Sequence, residues 1–149
     1  MRILSKFAIL ALAAPILALA QGTGAVGLWK TIDDHTGKAR ALIRIVDVDG
    51  ELHGTVEKLI RDPSEDPEPK CTKCDGSLKD QPVLGMTILW GLKKTSDAAV
   101  WSDGEIIDPD SGSVYHSKAT LIENGQKLEV RGYVGLPLLG RTQTWVRVE

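Results

Sequence analysis

Cys71-Thr72-Lys73-Cys74 is the motif whose residue types and spacing most readily do chemistry. Three chemistries suit it. A disulfide would pin the proline-rich segment around it, a Cys-x-x-Cys pair with a depressed thiol pKa would exchange disulfides, and two thiolates would form half of a zinc site. Redox pairs of this spacing normally open a helix, whereas these cysteines lie between prolines and Asp75-Gly76. Zinc needs two further ligands, and His35, His53 and His116 have no ligand spacing. The even cysteine count favours a Cys71–Cys74 disulfide, with no metal and no cofactor expected.

Hydrolytic chemistry can be drawn from His116-Ser117 with Asp108 or Asp110. No Gly-x-Ser-x-Gly elbow is present, and adjacent residues of a strand point to opposite faces, so no catalytic residue is assigned and the chain reads as a non-enzyme. Carboxylates gather at Asp33-Asp34, Asp47-x-Asp49-Gly50, residues 62–68 and Asp108-Pro109-Asp110. Each cluster coincides with a turn, where Asp binds its own local backbone. Asp47-x-Asp49-Gly50 lacks the remaining ligands and the distal Glu of a calcium loop.

The aromatic and arginine side chains suit binding better than catalysis. Beyond residue 20 there is no Phe, so Trp29, Trp90, Trp101, Trp145, Tyr115 and Tyr133 supply every large ring. They serve either as core or as the lining of a ligand site. Trp145 alternates in phase with Arg141 and Gln143, and Tyr133 with Arg131 and Glu129. Facing inward, Trp, Gln and Arg converge as the few polar groups of a mostly apolar pocket. Facing outward, they are a solvated stripe. The phase of Arg141, Gln143 and Trp145 is read as inward, against a competing core face at Val146 and Val148. The candidate ligand-binding residues are therefore Trp29, Trp90, Trp101, Tyr115, Arg131, Tyr133, Arg141, Gln143 and Trp145. An interior Arg favours a carboxylate or phosphate on the ligand.

Strands must position these groups, because no segment keeps a helical apolar period and short alternating runs are separated by turn chemistry instead. Runs at 26–31, 41–45, 51–60, 86–92, 99–108, 113–122, 127–134 and 140–148 make about eight strands. Asp49-Gly50, Asp108-Pro109-Asp110-Ser111-Gly112 and Asn124-Gly125 supply the tight turns. Hairpin order makes the strands antiparallel, and an up-and-down sheet of that size closes into a barrel to remove its edges; a two-layer sandwich is the competing architecture. Eight strands enclose room for side chains or one small ligand. Residues 61–81, with three prolines and no apolar period, form a long loop containing the cysteine pair. The stretch 135–140, Gly-Leu-Pro-Leu-Leu-Gly, is apolar for a surface connection and reads equally as a plug or a portal at one barrel end.

The first twenty residues are of another kind. Arg2 and Lys6 precede an uncharged apolar run at 7–19, and Ala18-Leu19-Ala20 is a small-x-small cleavage signal. The run is shorter than the ~20 residues of a membrane span. Cleavage between Ala20 and Gln21 would leave residues 21–149 as one domain, periplasmic or secreted. The 149 residues carry 18 basic and 20 acidic side chains, a net charge of -2, which provides no basic face for nucleic acid.

Gly27-Leu28-Trp29, Gly85-Met86-Thr87-Ile88-Leu89, Ile107-Asp108-Pro109 with Gly112 and Tyr115, Leu128-Glu129-Val130-Arg131-Gly132-Tyr133, and Gly140-Arg141-Thr142-Gln143-Thr144-Trp145 occur in that order. In these motifs the chain resembles the small exported bacterial proteins catalogued as domain of unknown function 2147, over essentially all of residues 21–149. The resemblance implies a lipocalin-like barrel in the periplasm carrying a small apolar or amphipathic molecule. Gly27-x-Trp29 is also similar to the lipocalin opening motif, in which the Trp closes the barrel floor beneath an Arg of the last strand. Arg141 and Arg147 both lie on that strand, and the choice between them stays open. The leading expectation is a non-catalytic binding protein. The alternatives are an interaction or envelope-stress factor with a filled barrel, working through its two long loops, and a thiol-redox or metal protein centred on Cys71 and Cys74.

Overall fold

The computed structural model describes residues 24–149; the expected signal segment, with Ala20 and Gln21 at its cleavage point, lies outside the described residues. Eight strands follow one another: β1 (Gly27–Ile32), β2 (Ala39–Val48), β3 (Glu51–Leu59), β4 (Thr87–Lys94), β5 (Val100–Asp108), β6 (Ser113–Ile122), β7 (Lys127–Tyr133) and β8 (Arg141–Arg147). Each pairs antiparallel with the next, and β1 pairs with β8 through Trp29 opposite Arg147 and Lys30 opposite Val146. The sheet is thus a closed up-and-down barrel and not a sandwich, every strand having a neighbour on both sides.

Local chemistry accounts for the strands. Ala41, Ile43 and Ile45 of β2 are buried while Arg40, Leu42 and Arg44 between them are half-buried, the period of two that a one-sided sheet requires. Asp49 and Gly50 both take positive φ, 53° and 86°, the two-residue turn whose twist matches a hairpin, and Asp47 Oδ1 accepts the Gly50 amide at 2.8 Å.

One end of the barrel, toward the β2–β3, β4–β5 and β6–β7 turns, is filled. Trp29, Ile45, Leu52, Leu92, Trp101 and Leu128 are all buried there. Trp29 is fully buried, and its indole donates to the Ala25 carbonyl at 2.8 Å. The Arg147 guanidinium lies over the ring, 4.2 Å from its centroid, and donates to the carbonyls of Gly125 (2.6 Å), Val26 (3.1 Å) and Gly24 (2.5 Å). Arg147, and not Arg141, closes the floor. Gly27 is required beside it: at φ 143° a Cβ would overlap the Glu149 carbonyl and come within 2.8 Å of the Arg147 guanidinium.

Candidate functional site

The opposite end is hollow. A cavity of about 520 Å³ opens between the β1–β2, β3–β4, β5–β6 and β7–β8 connections, within the size range of small-molecule sites. Its inner wall is apolar, with Ala41, Ile43, Val56, Ile88, Ile106, Ile107 and Val130, and Trp145 beside them. Gln143 supplies the polar contrast; its Oε1 accepts the Trp145 indole N–H at 3.2 Å, which leaves its amide N–H groups for another partner. Tyr115 and Tyr133 stand higher on the wall, and Asp33, Arg40, Arg61, Asp108, Asp110 and Arg141 surround the mouth.

Of the nine predicted ligand-binding residues, the structure brings Tyr115, Tyr133, Arg141, Gln143 and Trp145 to the cavity and places four elsewhere. Trp29 and Trp101 are buried in the filled end, Trp101 with the Lys94 ammonium 4.9 Å from its ring centroid. Trp90 is half-buried, with its indole donating to Glu105 at 2.8 Å. Arg131 is corrected outright. On β7 the buried phase is Leu128 and Val130, so Arg131 faces outward, where it donates to the carbonyls of Pro137 (2.5 Å) and Leu138 (3.1 Å) and to the Thr142 hydroxyl (2.7 Å). It braces the 134–140 connection. That connection borders the mouth through Val134, Leu139 and Gly140 without filling it, and Leu136 and Leu138 project into solvent. Tyr133 shares Arg131's phase but sits at the rim, where its ring centroid is 5.7 Å from that of the exposed His116.

The arginines of the mouth are all engaged. Arg141 grips Asp34 with two nitrogens, Nε to Oδ2 at 2.6 Å and Nη2 to Oδ1. That contact holds the Asp34 carboxyl down at about 2. Arg40 donates to Glu65 at 2.8 Å, and Arg61 Nε donates to the Asp66 carbonyl at 3.0 Å. Asp33 is held below the usual carboxylate range by the Thr36 amide and then the His35 amide, both bound to Oδ1.

Cys71 and Cys74 form a disulfide, Cα atoms 5.3 Å apart, with both side chains fully buried. It staples the β3–β4 connection. Cys71 N–H bonds the Gln81 carbonyl at 2.8 Å and Val83 N–H the Pro69 carbonyl at 2.9 Å, which carries Pro69 and Val83 into the cavity wall. The stapled segment rests on the β5–β6 turn, where Cys71 Sγ lies 3.3 Å from the Pro109 carbonyl oxygen. Gly112 allows the contact: at φ 73°, a Cβ would overlap the Lys73 carbonyl. His116 and Ser117 point to opposite faces, His116 exposed and Ser117 buried, so no triad forms. Among the described residues no three of His, Cys, Asp or Glu converge as a metal set.

The mouth carboxylates and most of the apolar wall were missed as site residues. The Asp residues read as turn formers, which they also are, and Ile43, Val56, Ile88 and Ile106 carry only the alternation common to any inward face.

No curated protein matches the chain. Among solved structures, the chain is similar to protein HP1028 from the human pathogen Helicobacter pylori, described as belonging to the lipocalin family; the TM-score is 0.70 at 20% identity, over 83% of this chain and 82% of that one. The shared fold is lipocalin-like. With a family model matching residues 27–147, the chain belongs to the bacterial family described as "uncharacterized protein conserved in bacteria (DUF2147)".

Proposed function

We propose that this protein is exported to the periplasm or beyond and there binds a small amphipathic molecule in the barrel, without catalysing a reaction. The observation that carries the reading is the cavity: about 520 Å³, apolar within and polar at its mouth, at the one end of the barrel that side chains leave empty. The buried Cys71–Cys74 disulfide suits an oxidising compartment, as does the amino-terminal pattern of charge, apolar run and Ala-Leu-Ala.

The test uses the geometry of the four tryptophans. Only Trp145 borders the cavity, so an uncharged apolar probe such as N-phenyl-1-naphthylamine seated there should lie against its ring. The expected result is saturable probe fluorescence that Trp145→Phe reduces severalfold, together with extra mass on the protein in native mass spectrometry that leaves on denaturation. No saturable binding by a panel of apolar probes would overturn the reading.

One observation favours a second reading. Val134, Leu136, Leu138 and Leu139 are 67%, 66%, 85% and 75% exposed, a bare apolar lip of the kind that meets another surface. A protein partner engaging that lip would be lost on replacing Leu136 and Leu138 by Ser, with probe binding in the cavity retained.

A further inference from the structure

We infer that the ligand of this cavity carries a cationic head, a protonated amine or a quaternary ammonium, on an apolar body. The inference deepens the binding reading above and rests on it. A free interior arginine would instead select a carboxylate, but no mouth arginine is free: Arg141 is held by Asp34, Arg40 by Glu65, and Arg61 Nε by the Asp66 carbonyl. The carboxylates are not so committed. Asp33, Asp108 and Asp110 all line the cavity, and among the described residues none is ion-paired to Lys or Arg. Asp108 and Asp33 bind only hydroxyls and backbone amides, and Asp110 accepts no hydrogen bond from the described residues. With their partners counted, the mouth carries five carboxylates against three guanidiniums.

An entering anion would have to break an arginine pair and face this surplus, whereas a cation meets unpaired acids without displacing anything. The Tyr115 ring on the wall below adds an aromatic face of the kind ammonium groups favour.

The experiment compares twelve-carbon chains below their micelle concentrations: dodecyltrimethylammonium, dodecanoate and dodecanol, each displacing N-phenyl-1-naphthylamine at low ionic strength. The expected result is that the ammonium displaces the probe at least tenfold more strongly than the carboxylate. A surplus of two charges about 10 Å from the head produces about this ratio at an effective dielectric near that of water, and salt should shrink it. In a variant with Asp108→Asn and Asp110→Asn the ratio should fall toward one, with circular dichroism checking the fold. Dodecanoate binding as tightly as the ammonium overturns the inference, as does a ratio indifferent to salt in the wild-type protein. A preference that survives in the folded variant overturns its assignment to these carboxylates. Failure of dodecanol and of the probe itself is a different result, and it removes the binding reading on which the inference stands.

Discussion

Arg147 and Arg141 are two residues of one strand and one phase, yet their environments separate them. Arg147 is spread over a fully buried tryptophan and three carbonyls, and burial lowers its pKa without an acid to offset it. Arg147→Ala should therefore cost about 3 kcal/mol, a fall of roughly 10 °C in melting temperature, from lost cation–π contact and orphaned carbonyls. Arg147→Lys should recover only a minor part of this, because an ammonium cannot reach three acceptors around the ring. Thermal melts of both variants check it. Arg141 is half-exposed in its pair with Asp34, so the pair contributes less than about 1 kcal/mol. Because the folded Asp34 carboxyl is depressed to about 2 from 3.8, that stability is present above about 3.8 and is lost as pH falls through about 2. Asp34→Asn should flatten this acid limb in urea unfolding. It should also free Arg141 at the mouth and move binding toward dodecanoate. Both arginines were visible in the sequence as members of one face. Which one capped the floor depended on β8 meeting β1 with Arg147 opposite Trp29, a register between the two ends of the chain that neither strand encodes alone.

At the scale of elements, β6 was legible to the residue, and β3, β5, β7 and β8 to within a residue at each end, because their turns carry distinctive Asp, Asn and Gly residues. The β3–β4 connection was legible only as a loop. Its residues have no period, and its order comes from the disulfide, the Lys70–Pro82 bridge and the contact of Lys73 with Gly112. Replacing Cys71 and Cys74 by Ser should cost about 2 kcal/mol from so small a ring, and somewhat more because the sulfur atoms are buried. Limited proteolysis should then cut between β3 and β4, and probe affinity should drop severalfold as Pro69 and Val83 leave the wall. A variant as protease-resistant as the parent would show that the disulfide does not order the segment. On β7, alternation was visible but its phase was open, and Leu128 and Val130, which bury apolar area on one face, turn Arg131 to the other.

For the whole molecule, closure divides the interior into a packed floor and an empty upper half. Trp29, Trp101, Leu52, Leu92 and Leu128 meet and fill the floor, whereas the wall of the upper half includes the small Ala41, Val56, Val130 and Gly132 among its larger side chains. Filling the space should separate binding from folding. Val130→Trp places a ring where there is void, so it should abolish probe binding while changing stability by less than about 1.5 kcal/mol. Titration and urea unfolding of the one variant check both halves. Unaltered binding would place the ligand elsewhere.

The residue pattern by itself determined an all-β chain of about eight strands in hairpin order, and favoured the barrel and the pairing of Cys71 with Cys74. All of these follow from local periodicity, turn chemistry and counting. Only the tertiary structure decided which arginine closes the floor, which end is hollow and which acids surround its mouth. Asp33 is far in the chain from Asp108 and Asp110, and each looks like a turn former until the barrel closes. Cavity shape and mouth charge are sums over eight strands and four connections, and such sums leave no mark on any single stretch of sequence.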